Sequence, residues 1–465
     1  MFGGIITYNE NVGEIMYIKR DIYAKMLDWK RNNFNLALRI SGARQVGKTY
    51  IIKKFAEENF DKVIYINMAD ISGQRFIGCI DDVIACKNGI KATDNPVYDA
   101  LKKYDFEFVD SPETVIVIDE IQESSKVYNL IRNLARDLSS GVIITGSYLG
   151  YTLKREFFYP AGDIHCLELE TVSFEEFLDV LGKRELYESV DLFGSSEYGI
   201  YDELKSLFDD YMVTGGYPDV VKAYLSGKRG LELRQVCNNV MNLFLSESKA
   251  YVSDINDQNA LNNILLPIAR NMVKEKKGSN DLVVQLQKIM SSDTNKISKK
   301  SINNAIAWLV ESGVIGLCDK SVECDILNIV SNARFYFRDL GVAYNLLVQT
   351  GIDKGTIMGI LAETFVYRYL YNLARELRIA SDNPIFGVYK DGEIDFLVRN
   401  LDTYATIGIE VKYGSNIART GNILLKDEKI DKLYILKRDT YGGIEENKLT
   451  IPLYLCGRLK IDGVE

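Results

Sequence analysis

FNLALRISGARQVGKT, Phe34 to Thr49, is the stretch on which the reading of the whole chain turns. An apolar strand candidate ending at Ile40 runs into Gly42-Ala43-Arg44-Gln45-Val46-Gly47-Lys48-Thr49, which fits G-x-x-x-x-G-K-[ST] in the strand-loop-helix context that pattern requires. Glycines let such a loop wrap a polyphosphate with backbone N–H groups, and the helix that follows presents its positive end. In that arrangement Lys48 reaches the β- and γ-phosphates and the Thr49 hydroxyl ligates Mg²⁺. ATP and Mg²⁺ are therefore the expected cofactors.

Working outward, Val115-Ile116-Val117-Ile118 is an apolar strand that ends in Asp119-Glu120. Carboxylates at the C-terminal end of a buried strand sit at the mouth of the sheet, where ligands bind in open α/β folds. Asp119 is expected to hold Mg²⁺ and Glu120 to polarise the attacking water. Strand Val142 to Thr145 leads into Gly146-Ser147 and puts Ser147 at the same rim as a γ-phosphate sensor; Gln122 is a second sensor by position. With Phe34 to Ile40 and Val63 to Asn67, these strands alternate with helical stretches, predicting a parallel sheet covered on both faces.

From about 203 the strand signal fades. Ile302, Ala305, Ile306, Leu309 and Val310 recur at helical spacing, and Ser312-Gly313-Val314-Ile315 turns into a strand-like segment. From about 355 a long helix, Ile357 to Leu377, precedes strand candidates Glu393 to Val398 and Ile407 to Lys412. The expected divisions are 1–202, 203–345 and 346–465. The last part carries Asp391-Gly392-Glu393-Ile394-Asp395 and then Glu410-Val411-Lys412. Strand period two puts Glu410 and Lys412 on one face. Asp395 and Glu410 on adjacent strands would share a Mg²⁺, with Lys412 activating a water toward a phosphodiester and Glu363 as fourth member.

Composition narrows the classes. Of 465 residues, 47% are hydrophobic and 26% charged, as in an ordinary globular protein. Lys+Arg 56 against Asp+Glu 65 leaves a net charge of −9, so any nucleic-acid contact must be a local patch. Seven scattered cysteines without a CxxC pair suit reduced thiols, and a single histidine, His165, disfavours zinc sites and histidine triads. No apolar run has membrane-span length and no secretory signal is read, which predicts a cytoplasmic protein without membrane contact.

ISGARQVGKT, IDEIQ (Ile118 to Gln122), the ITGS strand end, PAGDIHCLELETVSFEEFL (Pro160 to Leu178) and YMVTGGYPDVV (Tyr211 to Val221) together resemble bacterial and archaeal AAA-type ATP-binding proteins. That family carries a C-terminal domain related to PD-(D/E)XK nucleases. The resemblance implies an AAA-type P-loop ATPase core, a winged-helix-like helical middle and an α/β nuclease-like end, with Asp395, Glu410 and Lys412 matching the D…E-x-K signature. Two departures stand out: Gly162-Asp163 where relatives have Gly-Arg, and Glu170-Thr171-Val172 where they have Tyr-Pro-Leu. No arginine finger is assigned; Arg132 and Arg136 are candidates that a solvated helix face explains better. In the middle, Lys296, Lys299 and Lys300, with Lys274, Lys276 and Lys277 upstream, either contact phosphates of DNA or RNA or keep a packing module soluble, and Trp308 is core. At the end, a live nuclease competes with a binding or oligomerisation module. A third class is a nucleotide-gated switch or scaffold with slow turnover.

Overall fold

The computed structural model describes residues 17–85, 95–147, 157, 162–196, 199–248, 255–274, 281–291, 297–376, 383–400, 402–414 and 417–459. The first sheet contains β1 (Ala37–Ser41), β2 (Lys62–Asn67), β3 (Thr114–Asp119), β4 (Gly141–Thr145) and β5 (Ile164–Glu168). All pairings are parallel, in the order β2-β3-β4-β1-β5. β3 is buried at all six positions, as expected of a strand covered on both faces. Four of these strands match the expectation from sequence. β5 was not anticipated: it is a half-buried edge strand whose His165 and Cys166 break the apolar run.

The second sheet has eight strands: β6 (Ile315–Val322), β7 (Ile329–Phe337), β8 (Ile385–Tyr389), β9 (Gly392–Arg399), β10 (Thr406–Lys412), β11 (Lys432–Lys437), β12 (Gly443–Glu445) and β13 (Lys448–Pro452). Their order is β12-β13-β11-β10-β9-β8-β6-β7. The strand expected after Gly313 is therefore the first arm of a β6–β7 hairpin, and β6 also pairs in parallel with β8. One sheet thus crosses the division expected at 345. A two-stranded wing leaves an edge of unpaired N–H and C=O groups, and β8 satisfies it.

The helix expected around Ile302 spans Lys299–Glu311, N-capped by Ser298, whose Oγ accepts the Ser301 N–H at 3.0 Å. Ile302, Ala305 and Leu309 are buried, Trp308 packs against the core, and Lys299 and Lys300 are exposed. Lys276, Lys277 and Lys296 lie outside the described residues, as does the side chain of Lys274. The long helix is Lys354–Glu376. The largest apolar cluster runs from Leu38 in the first sheet through Leu309 to Leu436 in the second, with separate clusters around Ile116 and Ile118 and around Ile394 and Leu433. Among the described residues no helix is long and apolar enough to cross a membrane, and the described cysteines are free thiols.

Candidate functional site

Gly42 has φ 141°, and a Cβ there would stand 2.1 Å from the Leu169 carbonyl oxygen, so the loop reaches its place only with glycine. Gly47, at φ 96°, turns the chain into the helix Lys48–Asn59. Arg20 fastens the loop from outside: Nη1 donates to the Val46 carbonyl at 3.0 Å, Nη2 to the Glu170 carbonyl at 2.6 Å, and Nε to Glu176 at 2.9 Å. The Lys48 ammonium is buried and donates to the carbonyls of Gly42 (2.9 Å) and Ala43 (2.8 Å). Burial pushes Lys48 down to about 8, against the opposing pull of Glu120 and Asp119.

The strand-end carboxylates stand where the sequence placed them, and each is held. Asp119 Oδ2 accepts the Thr49 hydroxyl at 2.8 Å and the Tyr65 phenol at 2.6 Å. Burial, then the Asp119 hydrogen bond, push Tyr65 up, so the phenol keeps its proton and remains a donor. A hydroxyl and a carboxylate this close form the hard-oxygen donor set that Mg²⁺ takes beside a nucleotide, so Thr49 and Asp119 fit that ion. Glu120 accepts from Gln122 Nε2 (2.6 Å), Ser147 N–H (3.1 Å) and Ser147 Oγ (2.9 Å). Ser147 thus stands at the same end of the first sheet as Glu120 and in contact with it.

Arg132 and Arg136 send their Nε–H groups to the two oxygens of Asp163, at 2.9 and 2.6 Å. Both arginines are more than half exposed on the helix face, as expected, and the departure at Asp163 supplies a buried carboxylate that pairs with both. Missed by sequence reasoning were Arg20, Tyr65 and Arg338. The only signal for Arg20 was a cation between apolar Ile18 and Ile22; Tyr65 looked like an ordinary strand aromatic. Arg338, 6% exposed at its side chain, pairs with Glu168 at 3.0 Å and with Glu170, and its guanidinium lies 4.2 Å over the Tyr371 ring.

At the C-terminal end, antiparallel β9 and β10 pair Phe396 with Ile409, one residue from Asp395 and Glu410. Lys412 Nζ lies 2.6 Å from Glu410 and 3.5 Å from Asp395. Backbone groups take another share of each carboxylate: Val411 N–H donates to Asp395 at 2.6 Å and Gly421 N–H to Glu410 at 2.6 Å. Glu363, on the long helix, feels Asp395, Arg334, Glu393 and Lys412; enclosure first, and then the Asp395 charge, push its carboxyl up. Three of the four residues expected to act together, Asp395, Glu410 and Lys412, are therefore in contact, and Glu363 lies within electrostatic range of Asp395 and Lys412. As they stand, Lys412 links the carboxylates, and among the described residues no three acidic, histidine or cysteine groups are gathered to hold a metal ion. This arrangement does not fit a bound metal without Lys412 giving up Glu410.

A family model described as an AAA domain matches residues 35–178, and one described as a domain of unknown function matches 205–353. No curated protein matches. Among solved structures, the Walker-type ATPase PABY2304 of Pyrococcus abyssi is 16% identical with TM-score 0.45, covering 71% of this chain and 96% of its own. The Aeropyrum pernix ORC2 protein in its ADPNP–ADP complexes is 14% identical with TM-score 0.35, covering 80% and 98%. The Thermotoga maritima RuvB Holliday junction branch migration motor is 11% identical with TM-score 0.27, covering 68% and 92%. With the family match over its first sheet and the phosphate loop, strand-end carboxylates and rim serine in place, the chain carries an AAA-type P-loop ATPase domain and hydrolyses ATP.

Proposed function

We propose that this protein is a Mg²⁺-dependent ATPase whose nucleotide state controls its C-terminal domain, and that the cluster of Glu363, Asp395, Glu410 and Lys412 engages nucleic acid. Lys48 and the loop amides hold the phosphates, Thr49 and Asp119 hold the ion, and Glu120 orients the attacking water. Mg²⁺ neutralises charge on the β- and γ-phosphates.

The observation that carries this reading is the helix Lys354–Glu376. Glu363, Tyr367, Tyr371 and Arg375 recur every four residues, on one face. Glu363 belongs to the C-terminal cluster, whereas Arg375 Nη1 reaches Glu168 at 2.8 Å, and Arg338 bridges Tyr371 to Glu168 and Glu170. Glu168 ends β5 opposite Ser41, at the start of the phosphate loop. Arg368 on the same helix donates to Tyr211 Oη (3.0 Å) and Thr171 Oγ1 (2.8 Å). About 18 Å of helix therefore joins the two sites, and the turn at Gly313 lies against Ala43 of the loop itself.

A second reading is favoured by the backbone donors on Asp395 and Glu410: the cluster is an internal ion pair and the domain a catalytically inactive binding or oligomerisation module. Labelled single- and double-stranded DNA and RNA, incubated with Mg²⁺ or Mn²⁺ with and without ATP, separate the two. Cleavage that Asp395→Ala and Lys412→Ala both abolish supports a nuclease. An intact ATPase that leaves every substrate whole supports the inactive module.

A further inference from the structure

Glu120, like Asp119 beside it, accepts three hydrogen bonds at the nucleotide site, and its two oxygens are held differently. Oε2 accepts from the Gln122 amide at 2.6 Å and from the Ser147 backbone at 3.1 Å. Oε1 accepts from the Ser147 hydroxyl at 2.9 Å. An amide and a backbone N–H are fixed in direction, while a hydroxyl rotates to suit its neighbours. Gln122 is 2% exposed on the short turn Ile121–Glu123, directly after Glu120. Its own amide oxygen is buried and accepts no hydrogen bond among the described residues. Turning the amide over would set two acceptor oxygens against each other at 2.6 Å, so the nitrogen must face Glu120. A buried acceptor left without a donor is uncommon and is characteristic of groups kept for function. Glu120 itself takes the left-handed backbone, φ 50° and ψ 44°, rare for a residue with a side chain and frequent at active sites.

We propose that Gln122 is a positioning residue for ATP hydrolysis: it fixes Oε2 of Glu120, so that Oε1, held by the rotatable Ser147 hydroxyl, is the oxygen that turns to the water. In the step so served, a water oxygen bonds to the γ-phosphorus and the bond to the β,γ-bridging oxygen breaks with its electron pair going to ADP. The water's proton passes to Glu120 Oε1. This rests on Glu120 as the water-orienting group, and the test separates the two claims.

Steady-state hydrolysis and equilibrium binding of a fluorescent ATP analogue are compared in wild type, Gln122→Met, Glu120→Gln and the double variant. Methionine keeps the side chain's length and removes the donor. One hydrogen bond to a charged group corresponds to about a 10–100-fold change in rate. Gln122→Met should lower kcat by that factor with nucleotide affinity unchanged, and should cause no further loss in the Glu120→Gln background. Gln122→Asn, whose amide falls one carbon short, should show the same pattern and takes the place of the methionine variant if that one does not fold. Full turnover in Glu120→Gln overturns both claims. Loss in Glu120→Gln with full turnover in Gln122→Met, or the same fractional loss from Gln122→Met in both backgrounds, overturns the role of Gln122 alone. A fall in affinity without a fall in kcat overturns it as well.

Discussion

Replacing Arg338 with methionine should loosen the joint between the nucleotide end and the C-terminal sheet. The guanidinium is 6% exposed at its side chain, while Glu168 and Glu170 are each 21% exposed. Removing one member of a fully buried pair costs about 3–5 kcal/mol, mostly because the other charge is left stranded. Two facts reduce that here: a fifth of each carboxylate still meets water, and Glu168 keeps Arg375 at 2.8 Å. Glu170 is the charge that loses its guanidinium outright. We expect Arg338→Met to destabilise by about 2–3 kcal/mol, since methionine keeps an apolar stem while the guanidinium over Tyr371 and its ion pairs are lost. Adding Glu170→Gln removes the stranded carboxylate and should return about 1–2 kcal/mol, a coupling within the usual range for contacting residues. Urea unfolding read at midpoint and slope measures both changes. A loss below about 0.5 kcal/mol, the level of an ordinary surface substitution, refutes the reasoning. So does a Glu170→Gln effect that adds to the Arg338→Met loss.

Three further outcomes follow from the same geometry. Because burial holds Lys48 near 8 and bound phosphates favour its ammonium form, ATP binding at pH 8.5 should take up protons and weaken as pH rises further; titration calorimetry in buffers of different ionisation enthalpy that finds no uptake contradicts this. Tyr65→Phe removes a donor to Asp119 and should raise the Mg²⁺ concentration for half-maximal nucleotide binding by about 10-fold, as loss of an outer partner of a metal ligand does; an unchanged Mg²⁺ requirement speaks against it. If exposed Lys299 and Lys300 contact phosphates, Lys299→Ala with Lys300→Ala should weaken DNA binding and lower its salt slope by about 2, whereas salt-insensitive binding, or none, supports a packing module.

What the sequence discloses depends on how far apart the interacting residues lie. Lys48, Thr49, Asp119 and Glu120 were legible because each pair is adjacent in the chain, the first opening the helix after a glycine-bounded loop and the second at the end of an apolar strand. β3 was legible because burial on both faces leaves six consecutive residues without alternation. The holders of those groups were not. Tyr65 meets Asp119 across 54 residues, Arg20 meets Val46 across 26 and Glu170 across 150, and Arg338 meets Glu170 across 168. Nothing in a strand tyrosine or a lone arginine announces its partner. The β6 segment was readable as a strand while its membership of the second sheet was not, since β8 arrives some sixty residues later.

If nucleotide state controls the C-terminal domain as proposed, sheet continuity constrains the route. Were residues 203–345 a free-standing module, a shift at the phosphate loop would turn that module on a linker and leave the C-terminal carboxylates alone. Instead Arg338 immediately follows β7, β7 pairs with β6, and β6 pairs with β8 beside β9, which carries Asp395. Gly215 and Gly216, inside the YMVTGGYPDVV segment, close the same joint. Gly216 donates its N–H to Asp339 at 2.8 Å, and a Cβ on it would meet the Val172 carbonyl at 2.2 Å. Asp339 in turn caps the helix Leu340–Val348. Motion at Glu168 and Glu170 must therefore either strain the second sheet or move it as a unit with the helix Lys354–Glu376. Packed cores and sheets move as rigid bodies more readily than they deform. Under the proposed control by nucleotide, the transition consistent with this packing is a tilt of the whole second sheet against the first, with Arg338 and its two carboxylates as the contact that is made or broken.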